Sequence, residues 1–264
     1  MSEHGTVVTR ERWGARARRN PSAAMPTFDS MSGLEGLSLG HDRWFYRAHG
    51  RALSRALRQA GVAIVGRRIL DVGDDTGHWL GWYARHGAGL LTALEANALA
   101  AERVRATVPN ARVVEGQVSE VTLRAGWFDV VNVLGVACRI VEPGAFERAL
   151  LNLARATVPG GCLVLSDALG AMEVRPARDV RLRPLSMYAE RLPVLGFRIE
   201  VVEPIATLLN GGLTGSAPPS VAGIARGIER GLGCALYLLD GLPGLGRWAN
   251  TRLLVARKLP GAGP

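Results

Sequence analysis

The residues with the most chemical potential lie in one short stretch, Asp71-Val72-Gly73-Asp74-Asp75-Thr76-Gly77. The stretch follows an aliphatic run and leads directly into a helical pattern, so its glycines allow the backbone to approach a ligand closely. N–H groups at the start of that helix are expected to face anionic parts of the ligand. Roughly 20 residues further on, Glu95 closes the next aliphatic run, where an acid holds ribose hydroxyls in nucleotide-binding βαβ units. Together they point to recognition of a nucleoside-bearing cofactor. A glycine turn alone is common; the turn plus the acid is the more specific signal. His78, at the start of the helix, is the nearest candidate general base, with helix-terminal hydrogen bonding as its competing role.

Positioning these residues requires a sheet. From Arg68 to about Asp167, short aliphatic runs alternate with helical patterns, which is the arrangement of parallel βαβ units. Strands are expected at Arg68–Val72, Leu91–Glu95, Arg112–Glu115, Phe128–Leu134 and Cys162–Asp167. Helices are expected from near Thr76, Ala98 and Gly144, the last closed by Pro159-Gly160-Gly161. Crossovers in such units are right-handed, which places a ligand crevice at the carboxyl ends of the strands.

Before the sheet, Trp44, Phe45, Ala48, Leu53, Ala56 and Leu57 recur at helical spacing from His41 to Ala60. They predict an amphipathic helix. After it, a helix is expected around Leu185–Leu195, then strands at Phe197–Val202 and Arg252–Arg257. Between these two strands, residues 221–239 form an apolar helical region inside a lid spanning about 204–248. The expected organisation is therefore a flexible Arg-, Gly-, Ser- and Pro-rich leader over 1–40 and one domain over 41–264.

Composition narrows the partners. The net charge of +9 suggests polyanion binding at first sight, but a single lysine, Lys258, stands among 32 basic residues. An arginine excess in an Ala-, Gly-, Leu- and Val-rich chain fits a GC-rich coding bias, and no arginine-aromatic platform or zinc-finger spacing is present. Neither nucleic acid nor a membrane is expected as a partner, since no apolar run approaches the roughly 20 residues of a spanning helix. Cys138, Cys162 and Cys234 stand apart in apolar surroundings and read as buried, reduced thiols of a cytoplasmic protein. His41 and His49 have no metal-ligand partners nearby, so no metal is expected. Trp79 and Trp82 read as core or pocket wall. The oligomeric state stays open.

Several of these segments together resemble the class I S-adenosylmethionine-dependent methyltransferases. They are Arg68-Ile69-Leu70-Asp71-Val72-Gly73 with Thr76-Gly77, Glu95, Phe128-Asp129-Val130-Val131, Val158-Pro159-Gly160-Gly161-Cys162-Leu163-Val164, and the ending Leu253-Leu254-Val255-Ala256-Arg257-Lys258. The resemblance implies a Rossmann-like α/β fold: a seven-stranded, mostly parallel sheet with helices on both faces, an antiparallel last strand and a C-terminal helical lid. S-adenosyl-L-methionine is the implied cofactor. Asp71, Gly73, Thr76 and Gly77 would then surround its methionine moiety, with Asp75 a further cofactor-binding residue of the turn, and Glu95, followed by Ala96, would hold its ribose. Gln117 and Val118 correspond to the adenine side, Leu134 lines the pocket, and Tyr46 closes over it.

Two departures from that pattern stand out. Asp75 replaces the family's central glycine, and Asp74 the small residue before it. A carboxylate at position 75 near the cofactor's own would cost on the order of 4 kcal/mol at ~4 Å and an effective dielectric of ~20. After the fourth strand, Leu134-Gly135-Val136-Ala137-Cys138-Arg139 lacks the acid or histidine often found there. Arg139 and Glu142 are left to orient an anionic or polar acceptor, with a solvated surface pair as the alternative. The expected activity is methyl transfer to an oxygen, nitrogen or carbon of a small molecule, such as a specialised metabolite. The competing reading is a non-methylating protein of the same fold with a degraded cofactor site. A nicotinamide oxidoreductase is disfavoured because the three-glycine fingerprint is missing.

Overall fold

The computed structural model describes residues 39–206 and 251–261. The 1–38 part of the leader, the lid helix expected over 221–239 and Cys234 lie outside the described residues. The elements in chain order are α1 (Leu39–Gln59), β1 (Arg68–Val72), α2 (His78–Arg85), β2 (Leu90–Glu95), α3 (Ala98–Thr107), β3 (Arg112–Glu115) and β4 (Phe128–Val133). A 3₁₀ turn at Ala137–Arg139 follows, then α4 (Pro143–Ala156), β5 (Thr157–Asp167), β6 (Val174–Ala177), β7 (Val180–Leu182), α5 (Leu185–Val194), β8 (Phe197–Ala206) and β9 (Thr251–Lys258).

Seven strands form one sheet in the order β3-β2-β1-β4-β5-β9-β8. β9 runs antiparallel to both β5 and β8, and the other pairs are parallel. The expected sheet, six strands parallel and the last reversed, is thus observed. Chain direction across the sheet reverses between β1 and β4, so a crevice opens at their carboxyl ends, where the glycine turn leaves β1.

Period-two alternation along the buried strands divides the core in two. Ile69, Val130, Val164 and Val255 point to the face covered by α1 and α2, where Ala52, Leu53, Ala56, Trp79 and Tyr83 pack on them. Leu70, Val131, Leu163 and Leu254 point to the opposite face and meet Phe146, Leu150 and Leu153 of α4 and Tyr188 and Leu192 of α5. Trp79 and Trp82 are core residues. A smaller cluster of Leu80, Ala93, Val104 and Val108 seats α3 beside α2.

Two features differ from expectation. Pro159-Gly160-Gly161 does not close α4, which ends at Ala156; Thr157 already pairs with Phe128 of β4, and the register shifts before Cys162 meets Val130. The glycines serve this bulge: Gly160 has φ +78, and a Cβ on Gly161 would lie 2.9 Å from the Asp129 carbonyl oxygen. The other is the β6–β7 hairpin, which has no apolar alternation to announce it. It is tied to the 3₁₀ turn by Arg183, whose Nη1 donates to the Ala137 carbonyl at 2.7 Å, and by Arg139, whose Nη1 lies 3.0 Å from Asp179 Oδ2.

Candidate functional site

The turn after β1 is built around carboxyl groups. Asp71 lies inside β1, paired in register with Asn132 of β4, and its Oδ1 accepts a 2.6 Å bond from Asn132 Nδ2. Asn132 in turn accepts from the Tyr83 hydroxyl at 3.1 Å. Asp71 Oδ2 is buried and no hydrogen-bond donor faces it. The Asp74 carboxyl interacts with Asp71, and only a shared proton can join the two. Burial first, and Asp74 second, push Asp71 well above the usual carboxylate range.

Asp74 has a structural task. Its Oδ2 accepts from the backbone N–H of Trp79 at 2.7 Å and of Leu80 at 3.2 Å, so it caps α2 from inside the turn. Two further donors are also occupied: Thr76 N–H goes to the Asp74 carbonyl, and His78 N–H to Thr76 Oγ1. The expectation that helix N–H groups would face an anionic part of a ligand is therefore corrected, because an internal carboxylate already occupies them. Burial raises Asp74 to about 6 despite these bonds.

Glu95, at the end of β2, is 2% exposed and its Oε1 accepts the Asp75 N–H at 3.1 Å. The acid and the glycine turn thus meet as the spacing predicted. Burial pushes Glu95 up to about 8, with Asp74 and Asp75 adding to the shift against the opposing Asp75 N–H bond. Asp75 adopts φ +59, the left-handed geometry that favours the glycine it replaces. Its carboxylate turns to α3, where Arg103 Nη2 lies 2.5 Å from Oδ1. The charge expected to oppose a cofactor carboxylate is therefore held by an arginine.

Asp75→Gly accordingly removes about 1 kcal/mol of backbone strain and an ion pair contributing about 0.5–1 kcal/mol. The expected net change in stability, read from urea melts, is under ~1 kcal/mol. Cofactor affinity should be unchanged or tighter. A loss of affinity would make the carboxylate a ligand contact.

Gly73 (φ +67) sits under the segment that follows β4, where an added Cβ would come within 2.7 Å of Val136 Cγ2. Gly77 (φ +77) approaches Thr107 and Val108 at the end of α3. His78 lies under Tyr46, ring centroids 4.0 Å apart, and edge-on to Trp79. Burial, with a smaller contribution from Arg85, lowers His78 to about 4, which makes it a weak base at neutral pH. Ala96 and Gln117 are exposed beside the crevice, and the Gly116 N–H donates to the Glu95 carbonyl. Val118 and Leu134 are packed into the two cores. Arg139 and Glu142 do not pair with each other: Arg139 meets Asp179, and Glu142 caps α4 through the N–H of Gly144 and Ala145.

Several site residues carried weak signals in the sequence. Asn132 was detectable as the one polar residue in Val130-Val131-Asn132-Val133-Leu134. Arg103 carried none, since its position on α3 opposite Asp75 depends on how α3 packs. Asp167 at the end of β5 accepts from the Tyr188 hydroxyl at 2.6 Å and from Arg183 N–H at 3.0 Å. Among the described residues, no cluster of His, Cys, Asp and Glu is arranged to hold a metal ion.

A sheet of this order with an acidic glycine turn at the crevice is the Rossmann-like fold of class I S-adenosylmethionine-dependent methyltransferases. Residues 69–161 match the family model described as a methyltransferase domain. A search of curated proteins finds no match by sequence. Among solved structures, an S-adenosylmethionine dependent methyltransferase from Mesorhizobium loti is 20% identical with TM-score 0.53, over 78% of this chain and 98% of that one. The [4+2]-cyclase SpnF is 18% identical with TM-score 0.55, over 80% of this chain and 81% of that one. A TehB-like methyltransferase from Corynebacterium glutamicum is 16% identical with TM-score 0.51, over 94% and 97%.

Proposed function

We propose that this chain binds S-adenosyl-L-methionine in the crevice and transfers its methyl group to a small molecule. The observation carrying the reading is the acidic make-up of the turn: Asp71, Asp74 and Glu95 are buried together, and Asp74 occupies the α2 amides. Such a site disfavours a pyrophosphate, which needs those amides, and suits a ligand with cationic groups and ribose hydroxyls. When bound, the cofactor supplies an electrophilic methyl on a positively charged sulfur.

The chain's own residues would do the following. Glu95 accepts from the ribose hydroxyls, and Ala96 lies beside it. Asp71, whose carboxyl is pushed up by burial and by Asp74, is a buried acid whose ionised form a cationic group of the ligand would favour. Asp75, Thr76 and Gly77 shape the turn, Gln117 and Val118 bound the adenine side, and Leu134 backs the pocket. Tyr46 covers the turn through its stack on His78. With His78 lowered to about 4, the transfer relies on alignment of acceptor, methyl and sulfur rather than on a base there. Arg139, beyond Val136, orients the acceptor. The buried thiols of Cys138 and Cys162, both pushed up to about 12 by burial, suit a reducing compartment, and a cytoplasmic location belongs to this proposal.

A second reading rests on Asp75 at the central glycine position: a non-methylating protein of this fold, which also carries the [4+2]-cyclase named above. Titration calorimetry with S-adenosylmethionine and with NAD, followed by incubation of labelled cofactor with a metabolite extract, separates the readings. Heat with the sulfonium compound alone, and label in a small product, is expected. Binding without transfer supports the second reading. Binding of NAD instead overturns both.

A further inference from the structure

The edge of the sheet opposite the crevice has a composition that methyl transfer does not use. Strands begin there and α1, α2 and α4 end there. From β3 to β5 this edge runs about 20 Å, at ~4.8 Å per strand. Along it stand Arg112 at the start of β3, Arg67 before β1, Arg85 ending α2, Arg124 before β4 and Arg155 ending α4, all exposed. Local contacts join four of them, and Arg112 stands two residues further along β2, in register with Thr92. Gly66 N–H bonds the Gly87 carbonyl, Leu90 N–H the Arg67 carbonyl, and Gly126 N–H the Arg155 carbonyl. The acid at the centre, Asp129, is occupied by Arg67 and Arg68.

Arginines in the last turns of α2 and α4 complement helix dipoles, Arg67 pairs with Asp129 and Arg124 lies over Trp127, but none of this accounts for Arg112. Nor does it account for the apolar groups between them. Val65 is 78% exposed and Leu90 56% exposed. Both lie where the segment before β1 meets the start of β2: Val65 approaches Gly87, and Leu90 pairs in register with Arg68. Next to them a cavity of about 360 Å³ opens between Leu57, Arg58, Val62, Ile64, Trp82 and His86.

We propose that this edge docks the protein on an anionic lipid surface, leaving the crevice facing away from it. Protruding aliphatic side chains ringed by arginines match the boundary between headgroups and acyl chains. A nucleic acid fits less well, because exposed Val65 and Leu90 gain nothing against phosphates and the Trp127 ring is already covered by Arg68 and Arg124. The contact is peripheral; among the described residues no helix is long and apolar enough to cross a membrane.

The test is sedimentation of the full chain with phosphatidylcholine vesicles, with and without phosphatidylglycerol. Binding only to the anionic vesicles, weakened by salt, is expected. Arg112→Gln with Arg155→Gln should lower partitioning about 30-fold, at roughly fivefold per arginine near the surface. Val65→Ser with Leu90→Ser should lower it while leaving the salt dependence intact. All four side chains are exposed, so circular dichroism melts of these variants should match wild type. Equal binding to both vesicle types, no binding to either, or retention on RNA with none on vesicles overturns the proposal. None of these outcomes bears on cofactor titration, so the two proposals fail separately.

Discussion

Replacing Glu95 with glutamine is expected to weaken S-adenosylmethionine binding about ten- to a hundredfold at ~pH 9 and to change it little at ~pH 6. The split arises because burial holds the wild-type carboxyl near 8. Below that value the free protein carries a protonated Glu95, and a ligand bearing positive charge and ribose hydroxyls must drive the proton off. Wild-type affinity should rise roughly tenfold per pH unit up to about 8 and then level off. Titration calorimetry in two buffers of different ionisation enthalpy reads both the affinity and the released proton. A pH-independent affinity, or equal losses at both pH values, would refute the role given to Glu95. Stability has the opposite dependence. The folded carboxyl, near 8, binds its proton more tightly than an unfolded one, near 4.5. Folded protein thus holds the extra proton within that window, and the ligand-free protein loses stability as pH rises through it. The loss is on the order of a few kcal/mol, and Glu95→Gln should flatten it.

Asp74→Ala is expected to destabilise the fold by about 2–3 kcal/mol, because it strands the N–H groups of Trp79 and Leu80 at a buried helix start. In a domain of this size that corresponds to a drop in Tm of roughly 5–10 °C. Asp74→Asn keeps an acceptor oxygen and should lose less. Removing the charge also relieves Asp71 and Glu95, so in the alanine variant Glu95 should titrate below its wild-type value of about 8. Thermal melts across pH and carboxyl NMR titration measure the two effects. An Asp74→Ala protein as stable as wild type would show that the α2 amides do not depend on this carboxylate, reopening the turn to anionic ligands.

Most of the framework and part of the site were legible in the sequence. Short, mostly apolar runs such as Ile69–Val72 and Val130–Val133 mark strands buried on both faces, and their alternation with helical patterns dictates a parallel sheet. The glycine turn and Glu95 were visible because strand length and crossover geometry place them at neighbouring strand ends, whatever the loops do. Gly73 and Gly77 were legible for a local reason: backbone at positive φ favours glycine.

What only the tertiary structure decided is which partner each polar group faces. Asp74 looked like a defect in a glycine motif and proved to cap α2, since the chain folds back within the turn to aim its carboxylate at Trp79 and Leu80. Asp75 looked repulsive to a cofactor until α3 brought Arg103 onto it. His78 was a candidate base by position alone, and only the packing of α1 showed it half-buried under Tyr46 and lowered to about 4. The Pro159-Gly160-Gly161 stretch looked like a helix stop until β4 drew Thr157 into its ladder. In each case the partner lies on another element or across a turn, and packing sets its distance. Hydrogen bonds and charges act over a few ångströms, so their partners emerge only after the hydrophobic pattern has brought those elements together.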